Sequence, residues 1–239
     1  MSEMSRYIDI EKYHAVETTH PHYVEMIKKI IEIILNLRGD QTNYRVLEVG
    51  AGTGLATKRL CELTSIKLDA VEIDERCFDK LNSYVGDLAN CYCDDAITFS
   101  SPVPYDAILS VFAHDHIPPL LAGKFAENIK TNLKDGGVYI MGGEILPFFA
   151  SEEDQKRALL DYHGYIIGKA LEDGNYEVAK LEIDALKSGI EMHGDFKRHE
   201  IMFEEELAGA GLELCEKIKI GPLHIKNVGG VFVYVFARN

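Results

Sequence analysis

The sequence predicts an α/β fold with a parallel, doubly wound sheet. Three observations support this prediction: a glycine-rich turn after a buried strand, strand and helix patterns that alternate over residues 45–141, and two strand-like segments near the C-terminus. The 239 residues suffice for one α/β domain with a substantial hydrophobic core. We therefore expect residues 1–239 to form a single domain.

The spacing of apolar residues defines the elements of the first 141 residues. Residues 23–37 carry apolar side chains every three or four positions, which predicts an amphipathic helix. Beyond this helix, short apolar runs alternate with segments of helical spacing, which indicates strands connected by helices. The predicted strands are 45–49, 67–73, 89–93, 105–111 and 138–141, and the predicted helices are 55–63, 75–85 and 120–133.

The pattern changes after Pro147. Residues 151–189 have the spacing of two helices with a break near residues 173–175, and no strand is predicted there. A helix and two strands that suggest an antiparallel hairpin follow, at 203–210, 212–220 and 228–236. We divide the domain into a core of residues 45–147 and 203–239, an N-terminal cover of residues 1–40 and a helical lid inserted at 148–202.

Composition and charge disfavour several classes of function. Lys and Arg number 25 against 39 Asp and Glu, so the net charge is −14, and a field of this sign repels the phosphate backbone of nucleic acids. The five cysteines form no CxxC pair, the N-terminus is polar, and the longest apolar run is too short to cross a membrane. We expect a cytoplasmic protein that acts on a small molecule, with no nucleic-acid or membrane partner. A homodimer remains open.

The turn after the first predicted strand contains three alternate glycines, Gly50, Gly52 and Gly54. Glycine adopts positive φ and lets a ligand approach the backbone, so the turn is typical of nucleotide-binding folds. A phosphate-binding loop would continue with Lys and Ser or Thr, and a dinucleotide-binding turn would need a third glycine at position 55. Leu55 occupies this position, so both of those ligand classes, NAD included, are disfavoured.

The segment Glu48-Val49-Gly50-Ala51-Gly52-Thr53-Gly54 resembles motif I of the class I S-adenosylmethionine (SAM) methyltransferases. The resemblance covers residues 45–141 and 203–239 and implies a seven-stranded, mostly parallel sheet whose last strand is antiparallel. It also implies SAM as the cofactor and S-adenosylhomocysteine as the product. In the family, the positions of Glu48, Gly50, Ala51 and Gly52 face the aminocarboxypropyl end of SAM, where an acid helps to hold the ammonium group.

The second predicted strand leads into two acids, Glu72 and Asp74. The resemblance assigns the ribose hydroxyls of SAM to Glu72, with Ile73 beside it as a further cofactor contact. An acid at this strand end accepts hydrogen bonds from the ribose in dinucleotide sites as well. Asp74 then suits the N-cap of the following helix.

Two later positions complete the predicted cofactor site. In the family, an acid followed by a small residue after the third strand meets adenine, which points to Asp95 and Ala96, with Asp94 as the alternative. Ser110 lies near the carboxyl end of the fourth predicted strand, where ligands bind in parallel sheets. We include Ser110 among the cofactor-binding candidates.

The segment His114-Asp115-His116 follows the fourth strand, where the family places residues near the transferred methyl group. Three interpretations remain open for it. The histidines could supply a general base or a substrate ligand, since imidazole titrates near neutrality. They could bind a divalent metal with Glu144 or a lid histidine, or they could cap the next helix. We take His116 and His114 as the catalytic candidates and assign no metal site.

The lid and the N-terminal cover are rich in polar and aromatic side chains that could contact an acceptor. We select Tyr13, Tyr162, His163 and His199 as substrate-binding candidates, and Arg198 could pair with a substrate carboxylate. The other side chains of this kind in the two segments are Tyr7, His14, His20, His22, Tyr165, His193 and Asp195.

These features predict a SAM-dependent methyltransferase that methylates a small molecule at oxygen or nitrogen. Methylation of an acidic carbon is an alternative. An aminopropyltransferase would need acids where His114 and His116 stand. A non-catalytic SAM-binding protein is the alternative from another class, and the histidine- and tyrosine-rich lid argues against it.

Overall fold

Seven strands form one sheet in a computed structural model, which describes residues 4–6 and 8–238. Tyr7 and the outermost ends of the predicted domain, residues 1–3 and 239, lie outside the described residues. The strands are β1 (Tyr44–Val49), β2 (Ile66–Glu72), β3 (Asn90–Cys93), β4 (Tyr105–Val111), β5 (Leu133–Ile145), β6 (Leu212–Gly221) and β7 (Gly230–Arg238).

The sheet order is β3-β2-β1-β4-β5-β7-β6. Strands β1 to β5 pair in parallel, whereas β7 runs antiparallel to both of its neighbours, β5 and β6. This arrangement confirms the predicted fold class. The described helices are α1 (Ile10–Val16), α2 (Tyr23–Arg38), α3 (Leu55–Cys61), α4 (Glu75–Val85), α5 (Pro119–Asn132), α6 (Glu152–Glu172), α7 (Tyr176–Ile190) and α8 (Glu200–Gly209).

The fifth strand is longer than the sequence predicts. Its pairing with β4 begins at Leu133, opposite Tyr105, and resumes at Val138, opposite Ala107. The intervening residues bulge out of the ladder, and Gly136 within the bulge has φ 72°. Gly136 and Gly137 therefore belong to a strand irregularity, and α5 already ends at Asn132.

Helices cover both faces of the sheet. On one face, Phe125 of α5 and Phe203 of α8 pack with Ile108 of β4. On the other face, α2 packs against Ala107 and Leu109, the neighbours of Ile108 along the same strand. This alternation follows from the two-residue period of a strand. Because both faces are covered, ligands have access at the carboxyl ends of the strands.

The N-terminal segment and the helices inserted after β5 meet at those carboxyl ends, where His20 Nε2 lies 3.2 Å from Glu182 Oε1. Helices α6 and α7 pack around Leu159, Tyr162 and Leu186. The chain between α7 and α8 returns along the sheet edge, where the Phe196 N–H donates to the Asp115 carbonyl at 2.7 Å. Within the described part of the chain, no helix has the length and apolar character needed to span a membrane.

Candidate active site

The glycine turn after β1 forms the floor of a cleft that is open to solvent. The N–H groups of Gly50 and Ala51 both donate to the Val71 carbonyl, at 2.9 and 3.0 Å, which fixes the turn against β2. Gly50 and Gly52 have φ of 67° and 54°, a region that favours glycine. A Cβ at Gly52 would meet no other atom within 4 Å, so a side chain there would enter open space.

Glu48 lies beneath this turn and lines the cleft. Its side chain is only 1% exposed, and Oε2 has no hydrogen-bond partner among residues 4–6 and 8–238. Burial raises the pKa of Glu48 to about 7. A buried carboxylate oxygen that faces a cleft and lacks a donor fits the ammonium group that the resemblance places here.

The acids at the end of β2 have different tasks. Glu72 lines the cleft, and its two carboxylate oxygens accept from the N–H groups of Gly52 and Asp74, each at 2.8 Å. Asp74 Oδ1 instead accepts from the N–H groups of Arg76 and Cys77, at 3.0 and 3.2 Å, and so caps α4. Asp74 therefore has the capping role expected from the sequence, and each carboxylate oxygen of Glu72 can accept a second hydrogen bond.

The other cofactor candidates do not line the cleft. Asp95 lies in the turn after β3, where its Oδ1 accepts from the Ile97 N–H at 2.9 Å, and Ala96 is buried next to it. Ile73 is half-buried between the two acids. Ser110 points into the core, with its hydroxyl 2.7 Å from the Tyr139 hydroxyl. The structure therefore brings Glu48, the glycine turn and Glu72 together, and it leaves Ser110 apart from them.

A second cavity, also open to solvent, adjoins the cleft. Tyr13, Phe112 and His116 line both spaces and form the wall between them. Phe112 directly follows β4, and its φ of 48° is uncommon for a residue with a side chain. Its ring contacts His20, at a centroid distance of 5.3 Å. The charged side chains that line this cavity, called the acceptor cavity below, are Glu17, His20, Asp115, Glu144, Glu182, Asp195 and Lys197.

Lys197 is buried among three of these acids. Its Nζ lies 2.5 Å from Asp195, 2.9 Å from Glu144 and 3.1 Å from Asp115, measured to a carboxylate oxygen each time. Burial alone would lower the pKa of Lys197, but the three carboxylates outweigh burial and hold it well above its ordinary value. Lys197 is therefore a fixed positive charge in the cavity wall.

His20 faces two carboxylates in the same cavity. Its Nε2 is 3.2 Å from Glu182 Oε1 and 3.5 Å from Glu144 Oε1. Burial alone would lower the pKa of His20, but Glu182 and Glu144 outweigh it and raise the pKa to about 9. Tyr162 donates to Glu144 at 2.6 Å, and His163 Nδ1 lies 2.8 Å from Glu182. Of the predicted substrate residues, Tyr13 thus lines the cavity, whereas Tyr162 and His163 support its carboxylates from behind.

The two catalytic candidates occupy different places. His116 lies in the shared wall, and its Nδ1 is 2.6 Å from the Gly194 carbonyl oxygen. The carbonyl can only accept, so Nδ1 carries the proton and Nε2 is left as the basic nitrogen of the neutral ring. His114 lies elsewhere: it is buried against the ring of Phe203, with Nε2 3.0 Å from Glu206.

His199 and Arg198 also lie away from both spaces. His199 caps α8, since its Nδ1 accepts from the Met202 N–H at 3.3 Å. Arg198 is fully buried and is held by the Glu206 carboxylate and the Ile117 carbonyl, at 3.0 and 2.7 Å. Neither side chain is placed to meet an acceptor. The sequence carries no signal for Glu182 and Lys197 and offers His20 only as one of many polar side chains of the cover, because the three lie in distant segments that share no spacing pattern.

Comparison with known proteins identifies the central part of the chain. Residues 46–137 match the model of a family described as a methyltransferase domain. Sterol 24-C-methyltransferase from Debaryomyces hansenii is 26% identical over 196 residues, which are 77% of this chain and 46% of that protein. Ribosomal RNA small subunit methyltransferase A from Gluconobacter oxydans is 33% identical over 97 residues, 38% of this chain and 32% of that protein.

The chain thus spans about a third to a half of the length of these curated relatives. Among solved structures, the N-methyltransferase NodS from Bradyrhizobium japonicum WM9, in complex with S-adenosylhomocysteine, has a TM-score of 0.60. It is 12% identical in sequence, over 95% of this chain and 98% of that chain. At this level of identity, the likeness concerns the fold.

Proposed function

Because the chain contains a class I SAM-dependent methyltransferase domain, we propose that it is a methyltransferase that binds SAM in the cleft and methylates a small molecule in the acceptor cavity. The acceptor atom in this proposal is oxygen or nitrogen. A polar acceptor is favoured because carboxylates, His20 and Lys197 line the cavity.

One observation carries the proposal. A cleft with a buried, unpartnered Glu48 oxygen and a glycine turn adjoins a second, charged cavity, and the two share Tyr13, Phe112 and His116. Transfer between two molecules needs two binding spaces that meet at one point. A protein that only binds SAM would not need the second space.

The residues of the cleft suit the parts of the cofactor. Glu48 would hold the ammonium group, Glu72 would accept from the ribose hydroxyls, and Gly52 would let the ligand approach the backbone. Bound SAM supplies an electrophilic methyl group on its sulfonium sulfur.

His116 provides the remaining chemical group. With a proton held on Nδ1, its Nε2 would accept the proton that an O–H or N–H acceptor loses. The hydrogen bond from Nδ1 to Gly194 fixes the tautomer that this role needs. Tyr13 and Phe112 flank His116 in the wall and help to exclude water from the junction.

Two measurements test the proposal. Calorimetry should show binding of S-adenosylhomocysteine by the purified protein, and labelled SAM should transfer its methyl group to a component of a polar metabolite mixture. Failure of the folded protein to bind the product would contradict the cofactor assignment. Binding without any transfer would favour the non-catalytic alternative.

His116→Gln should lower kcat by about a hundredfold or more, because it removes the base. Affinity for S-adenosylhomocysteine should stay within about twofold, since the glutamine side chain keeps a polar group in the wall. His224→Gln is the control, as His224 is exposed on the turn between β6 and β7. Unchanged turnover in His116→Gln would rule out this histidine as the base.

A further inference from the structure

Three side chains of the acceptor cavity each place one possible metal-ligand atom close to those of the other two. His20 comes from the N-terminal cover, Glu144 from the end of β5 and Glu182 from α7, and each of the three side chains is at most 10% exposed. One nitrogen or oxygen atom of each lies within 4.8 Å of the other two. We propose that His20, Glu144 and Glu182 bind a divalent transition-metal ion.

The separations of the donor atoms suit such an ion. Zinc binds imidazole nitrogen and carboxylate oxygen at about 2.0–2.2 Å, so tetrahedral ligands lie about 3.3–3.5 Å apart. His20 Nε2 is 3.2 Å from the Glu182 oxygen and 3.5 Å from the Glu144 oxygen. The two separations from His20 therefore match those of metal ligands, and the oxygens of Glu144 and Glu182 lie within 4.8 Å of each other.

The other side of the His20 ring is fixed as in a metal-binding histidine. Nδ1 lies 2.9 Å from the Pro21 carbonyl oxygen, which can only accept a hydrogen bond. Nδ1 therefore carries a proton, and Nε2 can offer its lone pair to an ion when the ring is neutral. Histidine ligands of metals usually donate their second N–H group in this way.

Both carboxylates are held in a similar manner. Oε2 of Glu182 lies 2.8 Å from His163 Nδ1, and this contact orients Oε1 toward His20. Glu144 uses its second oxygen for the Lys197 ammonium at 2.9 Å, and Tyr162 donates to the first. Each ligand thus has an outer partner that orients it, which is typical of metal sites.

The excess of negative charge in the cavity also favours a bound cation. Five carboxyl groups line it, and Lys197 is the single lysine in the lining. Asp195, 3% exposed, has one oxygen that finds no hydrogen-bond donor anywhere in the described chain. That oxygen can accept from a water or another ligand of a bound ion.

The histidine decides between a metal and an organic cation. An ammonium group would be held by the two carboxylates alone and would not require the imidazole nitrogen. A transition ion instead gains from the imidazole nitrogen, whereas Mg²⁺ and Ca²⁺ prefer oxygen ligands alone. The combination of one histidine and two carboxylates therefore favours Zn²⁺, Mn²⁺, Fe²⁺ or Co²⁺.

The position of the site suggests what the ion does. Three protein ligands leave coordination positions for other molecules, and the cavity that contains them reaches His116. The ion would bind an oxygen atom of the acceptor and orient it beside the base. This last inference rests on the proposed methyl transfer, whereas metal binding itself does not.

Metal binding can be measured directly on the full chain. After treatment with a chelator and dialysis, we expect titration with Zn²⁺, Mn²⁺ or Co²⁺ to give one bound ion per chain, by calorimetry and elemental analysis. Mg²⁺ and Ca²⁺ should bind at least about tenfold more weakly. The cobalt-loaded protein should show the visible absorption of a nitrogen- and oxygen-ligated ion.

His20→Gln and Glu182→Gln should each weaken binding of the ion by about a hundredfold, because each removes a ligand. His224→Gln controls for binding by an exposed histidine and should bind like the wild type. If His20→Gln fails to fold, the ion affinities of Glu182→Gln and Glu144→Gln test the site instead, since glutamine keeps the size of the glutamate side chain. Absence of a stoichiometric ion in the wild type, or wild-type affinity in folded variants, would overturn the site.

Titration with S-adenosylhomocysteine separates this proposal from the proposed function. The variants should keep cofactor affinity within about threefold, because none of the three ligands lines the cleft. A wild-type protein that binds the ion but no S-adenosylhomocysteine would contradict the proposed function and leave the metal site standing.

Discussion

Glu48 should make cofactor binding depend on pH. Burial raises its pKa to about 7, so the carboxyl group of the free protein becomes protonated as the pH falls below 7. The protonated form offers no negative charge to an ammonium group, and affinity should fall by up to about tenfold per pH unit between pH 7 and 5. Calorimetry with S-adenosylhomocysteine across this range would measure the effect.

Glu48→Gln supplies the control for this prediction, because it should bind weakly at every pH in this range. The stability of the free protein should change in the opposite sense. A raised pKa in the folded state stabilises below the unfolded pKa near 4.5, and that stability is lost as the pH rises through 7. An affinity that is independent of pH in the wild type would contradict the assigned role of Glu48.

Gly52→Val tests whether the cofactor approaches the backbone at Gly52, and Gly136→Val is the matched control. Gly52→Val should abolish binding of S-adenosylhomocysteine, because the new side chain would enter the cleft. Gly136→Val has the same type of positive φ and the same open surroundings, and Gly136 lies in the bulge of β5 outside the cleft. Both variants should lose about 1–2 kcal/mol of stability from backbone strain. Equal cofactor affinity in the two folded variants would contradict the cleft assignment.

The two acids after β2 should respond differently to substitution. Glu72→Gln should weaken binding of S-adenosylhomocysteine at least about tenfold, because an amide cannot accept as many hydrogen bonds as a carboxylate. Asp74→Ala should mainly lower the free energy of unfolding, by about 1 kcal/mol, since Asp74 caps α4. Calorimetry measures the change in affinity, and denaturant unfolding measures the change in stability. If Asp74→Ala weakened cofactor binding more than Glu72→Gln, the roles assigned to the two acids would have to be exchanged.

At the level of elements, α1 should respond to the cofactor. Tyr13 on this short helix lines the cleft, and the helix is attached by surface contacts such as the ion pair of Glu11 with Lys80. Product binding should therefore slow amide hydrogen exchange in α1 by about tenfold or more. Helix α8 packs into the core through Phe203 and Leu207 and serves as the internal control. Equal protection of both helices would indicate a global effect instead.

The elements themselves could largely be predicted from apolar spacing. Helix α4 and strand β4 have the predicted bounds, because a clear period and a capping residue mark their ends. Strand β5 is the main difference, since the pairing of Leu133 with Tyr105 depends on a neighbouring strand rather than on local sequence. Helix α1 was not predicted within the cover, and its seven residues are too few to show a period.

For the whole molecule, the sequence could predict Glu48, Gly52 and Glu72 of the cleft lining, but it could not predict most of the side chains that line the acceptor cavity. Glu48, Gly52 and Glu72 belong to motifs with fixed spacing near two strand ends. His20, Glu144 and Glu182 come from the cover, the sheet and the lid, so only the folded chain brings them together. Ser110 and His114 illustrate the reverse case: they lie at the end of β4 and just after it, but their side chains turn into the core.

The wall of Tyr13, Phe112 and His116 belongs to both spaces, so whatever fills one space touches the boundary of the other. Occupancy of the two spaces is then thermodynamically linked. If one ligand orders these side chains, the second finds them ordered and binds more tightly, and the linkage is equal in both directions. Under the proposed function, each of the two ligands would be held more tightly while the other is bound and would dissociate more readily once the other has left.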